Sequence, residues 1–311
     1  MTILEALTSN PKIIVNTDID GIFSALILYH FLNCEVAGFC NSVETVWTDN
    51  NRIASIYDAV YIDMFVPRKD VVCIDQHIIA VDEEHCRKIA SLGVKFNPNL
   101  DNPRFLIPSY FYYLKYPFGT VHYIIANLER NGLCLDLKLD NSVVQNLSFM
   151  DLLMRADDAM QTTVSSRYME NANEWWNWLK RFSDNGKITT MLCDYLYSLT
   201  DKDVATKKNA TALLLKNIYQ CESPDGGYKN ICDANGYLKE NVQNYIRFLS
   251  QISGLKMFDV NMKLDAKVGR AKRMQLNEQQ HRTLKNCDKK IFSYAFVKSA
   301  SKAENFSYTV M

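Results

Sequence analysis

The chain has no Cys-x-x-Cys pair, no excess of either charge and no long apolar run. Its nine cysteines are odd in number and scattered, which points to neither a zinc site nor a disulfide framework. Reduced thiols are the simpler expectation. Lys plus Arg number 35 and Asp plus Glu 35, so the formal net charge is zero. That argues against bulk coating of nucleic acid, while a local basic face stays open. No stretch reaches the roughly 18 apolar residues of a membrane span. Residues 1–10 lack a basic head followed by an apolar run. A cytoplasmic chain without a membrane partner is therefore expected. Repeats and low-complexity segments are missing as well. What the chain does have is apolar content, 48% of 311 residues, enough for a sizeable core and for two domains.

Short apolar runs alternate with helical patterns through the first half. Residues 12–15, Glu35–Cys40, 59–63 and 70–75 read as strands. Residues 22–32 read as a helix, with Phe23, Leu26, Ile27 and Phe31 near 3.6 spacing, and residues 50–57 as a short one. A further helix is predicted over 121–130, stopped by Asn131-Gly132, and another over 141–159. This alternation predicts an α/β fold with a doubly wound, mostly parallel sheet. After about Gln161 the character changes. Residues 213–219 and 242–252 look helical, Ser223 to Gly227 reads as a turn or linker, and residues 291–297 and Phe306–Val310 look like strands. Trp175, Trp176 and Trp178 lie close together and read as a packing anchor. The aromatic-rich stretch 98–117 is either a packed lid or a platform for stacking a base.

The chemistry concentrates in acids that close apolar runs. Asp18 and Asp20 follow the first strand, Asp63 the third, and Asp75 with Gln76-His77 the fourth; Asp157-Asp158 lies further on. Strand ends of a doubly wound sheet converge on one crevice. Carboxylates crowded there call for a positive partner, and divalent metal is the usual one. Among the histidines, His30 reads as a core residue and His85, in the charged helix 83–88, as a surface one. His122 reads equally as a phosphate contact or a core residue. Residues 263–290 are locally basic, with Lys267, Arg270, Lys272 and Arg273 among them. Such a run is either a solvated face or the far wall of a nucleic-acid cleft.

Asn16-Thr17-Asp18-Ile19-Asp20-Gly21 resembles the first motif of the DHH phosphoesterase superfamily. Tyr61-Ile62-Asp63 is similar to the second, and Cys73-Ile74-Asp75-Gln76-His77 to the Asp-His-His motif that names it. Phe118 to His122 resembles the helix start that follows, and Arg155-Ala156-Asp157-Asp158 the fourth motif. The resemblance covers roughly residues 10–165. It implies a metal-binding catalytic domain over 1–165 and a helix-rich α+β domain over 166–311 that binds substrate or a partner.

It further implies two Mn²⁺ (or Mg²⁺) ions. Asp18 would bind one and Asp20 the other, Asp63 would bridge them, and Asp157 (or Asp158) would serve the second. Asp75 would orient the loop and His77 would contact the phosphate, with His122, Arg270 and Arg273 as substrate residues. Two positions depart from the pattern: Asn16 and Gln76 stand where the family carries stronger ligands. Each could coordinate through its carbonyl oxygen, leaving one ion weakly bound or absent. The glycine-rich His motif of the family's usual second domain is missing, Gly226-Gly227 being the nearest approach. The leading expectation is a Mn²⁺-dependent phosphodiesterase hydrolysing short oligonucleotides, cyclic nucleotides or single-stranded ends by metal-activated water. The alternative is a degenerate DHH-like module that binds nucleotide or a protein partner without turnover. Pyrophosphatase-like chemistry is a third option, and homo-oligomerisation is left open.

Overall fold

Ile13, Ile14 and Val15 are fully buried in the first strand, as a central parallel strand covered on both faces requires. In this computed structural model, residues 1–41, 44–104, 114–137, 166–197, 201–223, 226–277, 279–280, 291–297 and 306–311 are described. The chain opens with α1 (Ile3–Ser9), started by a Thr2–Glu5 capping box. There follow β1 (Lys12–Asn16), α2 (Ile19–Leu32), β2 (Glu35–Cys40), β3 (Thr45–Thr48), β4 (Val60–Ile62) and β5 (Cys73–Ile74). Next come α3 (Glu83–Ala90), β6 (Lys95–Phe96), α4 (Pro98–Asp101) and α5 (Thr120–Arg130). The later helices are α6 (Ser166–Phe182), α7 (Lys187–Tyr197), α8 (Asp201–Ile218) and α9 (Glu240–Ser253). The chain closes with β7 (Asp265–Val268), β8 (Arg270–Met274), β9 (Ile291–Phe296) and β10 (Phe306–Val310).

The expected α/β architecture is present. A seven-stranded sheet runs in the order β6-β5-β4-β1-β2-β3-β7. Its first five strands are parallel neighbours, and β3 and β7 add on antiparallel. From β1 the chain steps to β2 on one side, then returns to lay β4, β5 and β6 on the other. The order therefore reverses between β1 and β4, where open α/β sheets form their ligand crevice. A separate antiparallel sheet, β8-β10-β9, stands near the C-terminus.

Every residue of α2 from Ile19 to Leu28 is buried, so it is a core helix rather than an amphipathic surface one. It packs on β1 and α5. Contact is so close that a Cβ on Gly21 would lie 2.2 Å from the Asn16 carbonyl oxygen. Gly21→Ala is expected to cost about 1–3 kcal/mol by forcing α2 off the strand. Urea unfolding checks this, and an unchanged midpoint would refute the close approach.

The helices of the second half join the same core. Trp175, Trp176, Leu192, Leu215 and Tyr245 belong to one buried cluster with Ile13 and Phe23. Trp176 stacks on Phe118 with ring centroids 4.0 Å apart, and the Trp175 indole N–H donates to the Leu114 carbonyl at 2.9 Å. The tryptophans are thus a packing anchor. Among the described residues, no helix is long and apolar enough to cross a membrane. All eight described cysteines are unbridged.

Several local expectations need correction. Residues 50–57 form turns, not a helix. There Asp49 accepts the Asn51 N–H at 2.9 Å and Asp58 the Ser55 N–H at 2.8 Å, local bonds that compete with helix. The strand expected over 70–75 shrinks to Cys73–Ile74, because Asp70 has φ 70 and turns the chain. β3, β7 and β8 were not foreseen. The last two are short, exposed strands carrying Lys267, Arg270, Lys272 and Arg273, charges of the kind that protect a sheet edge. His30 is only half-buried, and its Nδ1 accepts the Lys256 N–H at 2.8 Å. The helix expected over 141–159 and residues 105–113 of the aromatic stretch, with five of its six aromatics, lie outside the described residues.

His85 is buried, not on the surface, because α3 turns His85 and Ile89, four residues apart, toward the core. Burial lowers its pKa to about 4 from 6.5. The unfolded imidazole therefore takes up its proton near pH 6.5, and the folded one only near pH 4. Protons favour the unfolded chain in that window, so the stability is whole above it and lost as pH falls through it. Between about pH 7 and pH 5 the loss is roughly 2 kcal/mol. His85→Leu should remove that slope in urea melts. A slope as steep as the parent's would show that His85 is not its source.

Candidate metal centre

The acid loop begins where β1 ends. Asp18 is the N-cap of α2, and its Oδ1 accepts the Gly21 N–H at 3.0 Å. Asn16 is buried beside it. Its Oδ1 accepts the Thr17 N–H at 2.8 Å, which turns the amide nitrogen outward. That nitrogen donates to Asp18 Oδ2 and to Asp63 Oδ2, both at 2.9 Å.

Asp63 follows β4 directly, is fully buried and has φ 58. Few non-glycine residues adopt this left-handed conformation, and aspartate is among those that tolerate it. The backbone stays in the ladder, with the Asp63 N–H donating to the Ile74 carbonyl at 2.8 Å. The carboxylate meets the Thr120 hydroxyl, which donates to Oδ1 at 2.7 Å.

Asp75 closes β5 and is 1% exposed, whereas the His77 side chain is 35% exposed. Asp75 Oδ1 and His77 Nδ1 are 2.6 Å apart. A carboxylate on one ring nitrogen fixes both the tautomer and the ring orientation, the arrangement that commonly supports metal-binding histidines. The loop is stapled from β6 and α4. Asn97 donates to the His77 carbonyl at 2.8 Å, and Asn99 to the Gln76 carbonyl at 2.8 Å. Asp63, Asp75 and His77 each offer a ligand atom, and these atoms lie within 4.8 Å of one another. Two carboxylates and an imidazole suit Mn²⁺, Mg²⁺ or Zn²⁺ better than a soft ion.

Asp20 has a different setting. It is fully buried, and its two oxygens accept the N–H groups of Thr120 and Val121, each at 2.7 Å. Asp20 thus caps α5, a helix 100 residues away in sequence, at the end where the macrodipole favours an anion.

A cleft of about 440 Å³ opens over the group, lined by Asp18, Asp63, His77, Lys229, Arg273 and Tyr308 among others. The small sheet supplies its far wall. Thr17 and Tyr228 bind each other twice, hydroxyl to carbonyl at 3.1 Å and N–H to hydroxyl at 3.3 Å. This seats the segment around Gly227 on the acid loop and brings Lys229 to the rim.

Of the residues expected at the site, the structure gathers Asp63, Asp75 and His77, with Asn16 and Asp18 beside them. Arg273 lines the cleft, while exposed Arg270 is not part of the lining. Gln76 is buried and held by Asn99 through its carbonyl. His122 is buried in the core, with Nδ1 accepting the Gly119 N–H at 3.2 Å and its ring edge-on to Trp176. Asp157 and Asp158 lie outside the described residues. Thr120, Asn97, Asn99 and Lys229 escape sequence reasoning. A faint signal existed for two of them: Thr120 opens a helix directly after Gly119, and Asn97 precedes Pro98 as a helix cap. Neither protein-family models, nor curated proteins, nor solved structures give a match to this chain.

Proposed function

We propose that the protein is a divalent-cation-dependent phosphoesterase acting on a short nucleic acid or a nucleotide. The observation that carries this reading is the convergence of Asp63, Asp75 and His77 at the carboxyl ends of two adjacent parallel strands, beside the switch point of the sheet. A cation held there would supply Lewis-acid polarisation of a phosphoryl oxygen. The chain's own groups would do the rest. His77, oriented by Asp75, would present its ring to the ion at the cleft wall. Lys229 and Arg273 bring positive charge to the lining, suited to phosphate oxygens. The cleft is also of a size for a small ligand.

A second reading is a nucleotide-binding module without turnover. It is favoured by Asp18 and Asp20, whose oxygens already accept N–H donors. The test is a substrate panel of short RNA, short DNA, cyclic dinucleotides and pyrophosphate, with Mn²⁺ and then with EDTA. Turnover that needs Mn²⁺ is expected for at least one phosphodiester. No turnover together with retained nucleotide binding would favour the second reading.

A further inference from the structure

Asn16 lies between Asp18 and Asp63, the place a cation would take if both carboxylates were to share one. Its donors match the two carboxylates in number. One amide nitrogen, with two N–H bonds, reaches Asp18 Oδ2 and Asp63 Oδ2 at 2.9 Å each. The amide cannot turn its oxygen inward at no cost. That oxygen accepts the buried Thr17 N–H, and the flip would strand the donor. A cation between Asp18 and Asp63 would therefore face N–H hydrogens instead of a lone pair.

The remaining charge in the loop is met without an ion too. Asp18 Oδ1 accepts an N–H from the first turn of α2, and both oxygens of Asp20 accept N–H groups from the first turn of α5. Two helix N-termini thus bring partial positive charge, roughly half a unit each, to the carboxylates of the loop. Asp63 and Asp75 accept hydrogen bonds as well, from Thr120 and Asn16 and from His77 and Asn97, but they alone share their corner with an imidazole, that of His77, as a third ligand atom within 4.8 Å among the described residues.

We infer that Asn16 stands in for one ion of a two-ion arrangement, and that the site takes a single divalent cation at Asp63, Asp75 and His77. This rests on the metal reading above and narrows it. Asn16 then sets the ion count, since a carboxylate or imidazole there would replace the neutral donor with a ligand. An aspartate would also leave Asp18 and Asp63 without their shared N–H donors, which makes a second cation favourable.

The experiment titrates the full chain with Mn²⁺ alone and counts bound ions by calorimetry and by native mass spectrometry. About one ion per chain is expected for the parent, and about two for Asn16→Asp. Should Asn16→Asp fail to fold, Asn16→His, which adds a neutral ligand, is read in the same way. Two ions on the parent would overturn the inference and leave the metal reading standing. A count of one on every foldable Asn16 variant would also overturn it. No Mn²⁺ on the parent would bring down both.

Discussion

Asp63→Asn is expected to abolish Mn²⁺ binding and to lower turnover by at least about 10²-fold, while the fold survives. Loss of an outer partner of a metal site already costs about 10–100-fold. Asp63 is a proposed ligand itself, so the larger figure is a floor. Survival of the fold follows from the partners of the side chain. An asparagine can offer its oxygen to the Asn16 amide as before and its NH₂ to the Thr120 hydroxyl oxygen, so both contacts are kept, the second with donor and acceptor exchanged. Asparagine also tolerates the left-handed backbone at φ 58. The melting temperature without metal should stay within about 4 °C of the parent, the size of a 1 kcal/mol change. Asp63→Ala makes the contrast. It strands the Asn16 and Thr120 donors in a buried place, at about 1–3 kcal/mol each. The measurements are Mn²⁺ calorimetry, phosphodiester turnover and a melt on the same preparations. An Asp63→Asn protein that keeps Mn²⁺ affinity and turnover would sink the phosphoesterase reading.

Asp20→Ala is expected to behave in the opposite way and to damage the fold first. Both carboxylate oxygens are occupied by N–H groups of α5 at 2.7 Å, and the side chain is fully buried. Removal leaves two buried backbone donors unpaired and takes the anion from the helix N-terminus. Charge-assisted bonds of this kind put the loss at about 3–5 kcal/mol, or a fall of roughly 10 °C in Tm. Asp20→Asn should fall between, since the amide has one acceptor atom and turns a donor toward the second N–H. Its Mn²⁺ affinity should change by less than about tenfold, because the oxygens it alters face a helix. If Asp20→Asn instead loses Mn²⁺ as completely as Asp63→Asn, Asp20 is a ligand, as the family resemblance implies.

Those two aspartates show how far the sequence could be read. Asp63 and Asp75 are legible because each closes an apolar run, and a parallel sheet carries such ends to a common edge. β1 and β2 are legible for the same reason. The role of Asp20 is not, since its partners Thr120 and Val121 lie about 100 residues away and become neighbours only through the packing of α2 on α5. The orientation of Asn16 is equally hidden. Which end of an amide faces a carboxylate depends on one backbone N–H, here that of Thr17. β7 and β8 are hidden by their own surface chemistry. Both are short and exposed, without a buried apolar face to mark a strand, and their pairing with β3 and β10 is long-range.

The joint between those two strands has a mechanical consequence. β7 belongs to the large sheet and β8 to the small one, and Gly269 alone separates them. A Cβ at Gly269 would lie 2.5 Å from the Val310 carbonyl oxygen, so the joint is tight. A second tether runs from the other side, where the Phe296 N–H donates to the Ile78 carbonyl at 2.8 Å and the Tyr294 hydroxyl to the Ile79 carbonyl at 2.9 Å. Ile78 is next to His77. The two jaws of the cleft are thus clamped at both ends by hydrogen-bond registers and not hung on a swinging linker. The gauge of the opening is set by residue count along the ribbon. Inserting one residue beside Gly269 is expected to reset that gap without touching an acid.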